Sequence, residues 1–255
     1  MERVVANGVG LAYQRAGRGS RLLFLNGSGM TMTTSALLRK PFVASFDLLT
    51  LDHRGMGASS VPDGPYGMAD CAADALAVAD AVGWDRCSVV GISFGGMVAQ
   101  ELAVTAPERV ERLALLCTSA GGAGGSSYPL HEQPPTPTVL DTRFTDEWLA
   151  EHPRDAALVD FLAKRTLVDK DDDTIRGERL QLEARSHHDV WGRLDRITAP
   201  TIVAGGRFDG LAPFTNSEAI ASRIAGAELH GYDGGHAFFV QDPQAFPDVV
   251  AFLQR

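Results

Sequence analysis

One short passage limits the fold more than any other. Cys87 to Ile92 (CSVVGI) is an apolar run read as a buried strand, and Phe94 to Thr105 has helical spacing, with Pro107 marking its end. Gly91-Ile92-Ser93-Phe94-Gly95-Gly96 joins the two. A turn this tight between strand and helix strains the serine backbone and leaves no room for side chains two positions away. It presents the Ser93 hydroxyl at the carboxyl end of a sheet. It also aims a helix N-terminus, with its free N–H groups, at the same place. The plain alternative is a glycine-rich turn with a capping serine. The strand before and the helix after favour the reading in which Ser93 is exposed for chemistry.

The rest of the chain repeats this strand–helix rhythm. Arg3–Val5 and Val9–Tyr13 flank Asn7-Gly8, a pair that tolerates the positive φ of a tight hairpin. Strands are then expected at 21–25, ending in Asn26-Gly27-Ser28-Gly29, and at 46–52. Met68–Val82 reads as an Ala-rich helix stopped by Gly83. Further strands are expected at 110–117, 201–204 and 227–230, with a last helix opened by Asp242-Pro243 and running to Leu253. Such alternation predicts an α/β fold: a mainly parallel sheet of about eight strands, covered on both faces. From about Ser119 to Arg196 the rhythm breaks. A Gly/Ser/Pro-rich stretch, 121–137, leads into three expected helices at 146–151, 156–167 and 174–187. This predicts one core made of residues 1–118 and 197–255 and a helical cap insertion, 119–196. The acidic run 169–173 reads as a solvated turn with helix-capping acids.

The 255 residues suit one domain with an insertion. A formal net charge of −9 disfavours nucleic acid and anionic membrane as partners. No run approaches the roughly 18 apolar residues of a membrane span. The N-terminus lacks a signal-peptide pattern. Three cysteines without framework spacing argue against a disulfide scaffold. A cytoplasmic enzyme without metal or cofactor is the expectation; a homodimer stays open.

A serine hydroxyl needs a base. Among seven histidines, His236 sits in Asp233-Gly234-Gly235-His236, after the last strand and before the last helix. That position can return it to the sheet edge that carries Ser93. The base in turn needs an acid to orient it. Asp209 follows the strand Thr201–Ala204 and precedes Pro213. Asp233 competes by proximity to the histidine, yet it does not lie at a strand end. The order Ser93, Asp209, His236 is the one this topology expects. Two donors are then expected for an oxyanion: the N–H of Phe94, after the nucleophile, and the N–H of Ser28 in the early glycine loop. His187 and His188 face a pocket or dock the insertion, docking being preferred. Met30, Met32, Phe94 and Phe238 line a pocket or belong to the core.

Taken together, these features resemble the α/β-hydrolases along almost the full chain. The resemblance rests on Asn26-Gly27-Ser28-Gly29, the elbow at Ser93, the stretch from Gly205 to Pro213, Gly234-Gly235-His236, and the segment Asp52-His53-Arg54-Gly55-Met56-Gly57-Ala58-Ser59. The last matches the family's D-x-R-G-x-G-x-S loop, in which Asp52 and Arg54 look structural. The segment from His188 to Leu194 is similar to the insertion's return in the enol-lactonase and C–C-hydrolase branch. Many relatives begin the oxyanion loop with His-Gly where this chain has Asn26-Gly27, a departure that leans toward ester or lactone chemistry. The resemblance implies a serine hydrolase that opens a small-molecule ester or lactone through an acyl-enzyme. Cleavage of a C–C bond in a β-diketone-like substrate by the same residues is the first alternative. A non-catalytic ligand sensor on the same fold is the second.

Overall fold

The computed structural model describes residues 1–165 and 170–255. Eight strands form one sheet: β1 (Glu2–Ala6), β2 (Val9–Gly17), β3 (Arg21–Leu25), β4 (Asp47–Leu51), β5 (Cys87–Ile92), β6 (Val110–Leu116), β7 (Thr201–Gly206) and β8 (Glu228–Tyr232). Their order is β1-β2-β4-β3-β5-β6-β7-β8. The β1–β2 and β2–β4 pairs are antiparallel and all others parallel. Asn7 and Gly8 both take positive φ, 50° and 77°, as a two-residue hairpin requires.

Ten helices are present among the described residues: α1 (Ala36–Val43), α2 (Met68–Ala81), α3 (Phe94–Thr105), α4 (Pro137–Leu140), α5 (Asp146–Glu151), α6 (Pro153–Arg165), α7 (Asp172–Ser186), α8 (Phe214–Arg223), α9 (Phe238–Gln241) and α10 (Ala245–Leu253). No helix among the described residues is long and apolar enough to cross a membrane. α4 to α7 all fall between β6 and β7. The expected helix 156–167 begins three residues earlier, at Pro153, and its last two positions lie outside the described residues. Within the acidic run 169–173, Asp169 also lies outside them. Asp171 caps α7 by accepting the Thr174 N–H at 2.7 Å. α1 has no counterpart in the sequence reading. It carries Pro41, a residue that normally signals a helix end.

The period-two pleat divides the core into two layers. Leu23, Leu25, Val89, Leu113, Leu115 and Val203 face one layer with α2, α3 and α8. Leu22, Phe24, Val90, Ile92, Ala114 and Leu116 face the other with α1 and α10. A stretch of strand with side chains buried on both sides must read as continuously apolar, which is why Val89–Ile92 and Leu113–Leu116 do. The cysteines are free and buried, and burial pushes the Cys87 thiol up to about 12.

Candidate active site

The carboxyl ends of β5, β7 and β8 converge on one point. Ser93 follows β5 with φ 53° and ψ −113°, in the left-handed region that a side chain rarely adopts. The neighbouring glycines explain how the strain is held. A Cβ on Gly91 would strike the Gly95 carbonyl, and one on Gly95 would strike the Leu25 carbonyl. One on Gly96 would come within 2.6 Å of the Thr118 Cβ. Ser93 N–H donates to Leu116 O at 2.8 Å, and the Thr118 hydroxyl donates to Ser93 O at 2.8 Å. The elbow is therefore pinned from β6 as well as from its own helix.

Asp209 lies three residues past β7 and is 5% exposed. Its Oδ1 accepts the N–H groups of Leu211 and Ala212 at 2.8 and 2.9 Å. Its Oδ2 is 2.8 Å from His236 Nδ1, and His236 Nε2 is 3.0 Å from Ser93 Oγ. A carboxylate only accepts, so Nδ1 carries the ring hydrogen and Nε2 is left to accept from the serine hydroxyl. Asp233 is exposed, and its N–H donates to Asp242 Oδ2 at 3.2 Å; the carboxylate bonded to His236 is that of Asp209.

The histidine loop is held from the β6–β7 segment. His236 N–H donates to Leu140 O at 2.7 Å. Gln241 accepts the Gly235 N–H at 2.6 Å and donates from Nε2 to Asp141 and Asp155, both at 2.9 Å. A Cβ on Gly235 would strike Leu140 O.

The early glycine loop lies against the elbow: a Cβ on Gly27 would sit 3.6 Å from the Ser93 Cβ. Gly29 N–H is taken by Gln181 Oε1 at 2.8 Å. The N–H groups of Ser28 and Phe94 have no acceptor among the described residues. Asn26 Nδ2 donates to Leu51 O at 3.3 Å, tying the loop to the end of β4. Asp52 has the structural part expected of it, accepting Met32 N–H at 2.6 Å and Ala58 N–H at 2.9 Å. Arg54 forms a buried bidentate pair with Asp74 at 2.6 and 2.7 Å.

Three residues near the site, His53, Gln181 and Arg185, gave no signal of their own in the sequence. His53 Nε2 donates to Asn26 O at 3.2 Å, and its ring meets that of Phe94 edge-on at 5.1 Å. Burial pulls its pKa down to about 4, so it stays neutral as a prop between the Asn26 loop and the start of α3. Gln181 and Arg185, from α7, are both buried beside the loops that carry Ser28 and Asp209. His188 is buried and lines a cavity of about 210 Å³, whereas His187 is exposed and bonds to Glu183 O at 2.9 Å. Phe94 and Phe238 are fully buried, and Phe238 stacks on Tyr232 in the layer with α10. Met32 is buried as well, and Met30 is half-buried over Gly27.

Residues 22–167 match the family model described as the alpha/beta hydrolase fold. The chain is 26% identical to 3-oxoadipate enol-lactonase 2 of Acinetobacter baylyi, covering 100% of this chain and 96% of that protein. It is 31% identical to the 2-hydroxy-6-oxononadienedioate/2-hydroxy-6-oxononatrienedioate hydrolase of Klebsiella pneumoniae, covering 92% and 87%. A solved hydrolase from Pseudomonas aeruginosa PA01 superposes with TM-score 0.79 at 30% identity, covering 100% of this chain and 98% of that one.

Proposed function

Because this chain is a hydrolase and belongs to the α/β-hydrolase fold family, we propose that it cleaves a carboxylic ester or lactone of a small molecule through an acyl-enzyme on Ser93. The observation that carries the reading is the unbroken relay from Ser93 Oγ through His236 to Asp209, at 3.0 and 2.8 Å. His236 Nε2 takes the hydroxyl proton as Ser93 Oγ bonds to the acyl carbon. Asp209 faces the imidazolium that forms. The carbonyl electrons move onto oxygen, where the Phe94 and Ser28 N–H groups receive them. As the carbonyl re-forms, the C–O bond to the alcohol breaks and His236 returns its proton to the departing oxygen. Water, deprotonated by the same ring, then releases the acid and restores Ser93. The β6–β7 segment is the cap that closes this chemistry off from solvent.

A second reading, cleavage of a C–C bond in a β-diketone-like substrate by the same three residues, draws on the similarity to the dienedioate and trienedioate hydrolase. Turnover of an aryl ester beside a vinylogous diketone separates the two. For the nucleophile itself, an active-site fluorophosphonate is expected to label the wild type and not Ser93→Ala. Labelling that survives the substitution overturns the assignment.

A further inference from the structure

The chain from Val139 to Arg143, at the end of α4 and just beyond it, touches both the loop that carries Asp209 and the loop that carries His236. A Cβ on Gly210, next to the acid, would strike the Val139 carbonyl, and one on Gly235, next to the base, would strike the Leu140 carbonyl. Thr142 N–H donates to Phe208 O at 2.8 Å, one residue before Asp209, while Leu140 O takes the His236 N–H. The two loops also meet each other, where Phe208 N–H donates to Gly234 O at 3.0 Å. One short segment is therefore fitted against the residues that flank both partners of the Nδ1–Oδ2 bond.

Arg143 closes this segment on itself. Its backbone N–H and its Nε donate to Asp141 Oδ1 at 2.9 and 3.1 Å, and its Nη2 donates to Oδ2 at 2.8 Å. The second carboxylate, Asp155 of α6, lies 3.9 Å from the same Nη2. Both carboxylates are buried, and a buried charge is costly unless it is paired. The guanidinium also lies over the rings of Trp148, in α5, and Phe208, 4.4 Å from each ring centre. Two of these contacts lead straight to the relay. Asp141 Oδ2 is shared with Gln241, which holds the Gly235 N–H before His236. Phe208 is the residue before Asp209. A planar guanidinium meets a carboxylate with a fork and an aromatic ring with its face, and lysine does neither.

We propose that Arg143 is a positioning residue for the relay, acting through Asp141 and Gln241 on the His236 loop and through Phe208 on the Asp209 loop. It sets the distance and angle at which carboxylate and imidazole meet. The inference rests on the hydrolase reading above and adds to its machinery a residue that touches no substrate.

Three variants separate the contributions. Arg143→Gln removes the charge and the fork, Arg143→Lys keeps the charge alone, and Phe208→Leu removes one stacking face and leaves every charge in place. Arg143→Gln should lower kcat on a reporter ester by about tenfold to a hundredfold, with KM within about twofold of wild type. Arg143→Lys should fall between the two, and Phe208→Leu should lose about threefold to tenfold in kcat. Because Arg143→Gln leaves two buried carboxylates short of a cation, Arg143→Gln/Asp155→Asn is measured beside it. That pair should regain most of the thermal transition and keep the kcat deficit. Recovery of kcat together with stability overturns the proposal, as does an unchanged kcat in Arg143→Gln or a raised KM with kcat held. Ring-nitrogen chemical shifts of His236 at mildly alkaline pH, assigned against His236→Gln, read the same geometry without turnover. Wild type should hold the Nδ1–H tautomer, and Arg143→Gln should populate both. A mixed tautomer in wild type, or a single one in Arg143→Gln, counts against the role. If wild type turns over no ester, the hydrolase reading fails and the tautomer comparison decides the positioning role by itself.

Discussion

The sheet edge that carries Ser93 is built with no space to spare, whereas the β6–β7 segment above it is joined to that edge by directed polar contacts as well as by the packing of Leu180 and Ala184. At the elbow, steric exclusion does the positioning: Gly91, Gly95 and Gly96 sit where any Cβ would collide. Above it, Leu140 O holds His236, Gln241 spans Asp141 and Asp155, Gln181 holds Gly29, and Asn216 Oδ1 accepts Ser126 N–H at 2.9 Å. Close packing has one solution and tolerates little change. Individual hydrogen bonds contribute about 0.5–1.5 kcal/mol net, and they open locally at lower cost than a core does. Ser93 is therefore fixed by shape, and His236 by direction together with the close fit of Gly235 on Leu140.

The largest effect that would break this contrast lies in the relay. Asp209→Asn leaves the packing alone and removes the acceptor that sets the histidine tautomer. It should lower kcat by about four orders of magnitude on a reporter ester, with the thermal transition little changed. If Asp233→Asn did this instead, the acid would be misassigned.

A smaller effect tests the two regions by pH. His53 belongs to the core and His188 to the β6–β7 segment, and burial pulls both pKa values down to about 4. An unfolded histidine titrates near 6.5, so between those values the unfolded chain binds more protons than the folded one. Stability from the neutral rings is full above about 6.5 and is lost as pH falls toward about 4, on the order of 3 kcal/mol for each ring. Urea midpoints at pH 7 and pH 5 should fall with acid in wild type. His53→Gln and His188→Gln should each flatten the slope by a similar share. A slope unchanged in His188→Gln would mean that the segment opens before the core and does not share its cooperativity.

The smallest effect sharpens the contrast at the tether. Gln241→Leu removes the acceptor for Gly235 N–H and strips a donor from Asp141 and Asp155. It should cost about 1–3 kcal/mol of stability. It should also lower kcat by up to about a hundredfold, through a misdirected His236, with KM less affected. KM rising while kcat holds would instead assign the tether to substrate binding.

The same division governs what the sequence discloses. The elbow is legible because exclusion demands glycine, and glycine is visible in the string. Asp209 and His236 are legible because parallel strands send their ends to one edge. Gln181 and Arg185 are not, because their partners are the Gly29 N–H and the Tyr128 carbonyl. A contact to backbone leaves no mark on the identity of the residue that supplies it. His53 is hidden similarly inside a loop whose neighbours, Asp52 and Arg54, are readable from their charge. α1 is obscured by Pro41, whose usual meaning as a helix breaker is overridden by the burial of Phe42 and Arg39.

The bond from His236 N–H to Leu140 O has a consequence for how such a molecule can change over generations. Any amino acid at position 140 supplies a carbonyl, so selection acts there on the path of the chain and is indifferent to the letter. Sequence around it is free to drift while the tether persists. Replacing the whole span between Leu116 and Thr201 is a different matter. A segment grafted there would serve only if its backbone passed within reach of the histidine loop. The span between β6 and β7 is thus not a part that can be exchanged by itself.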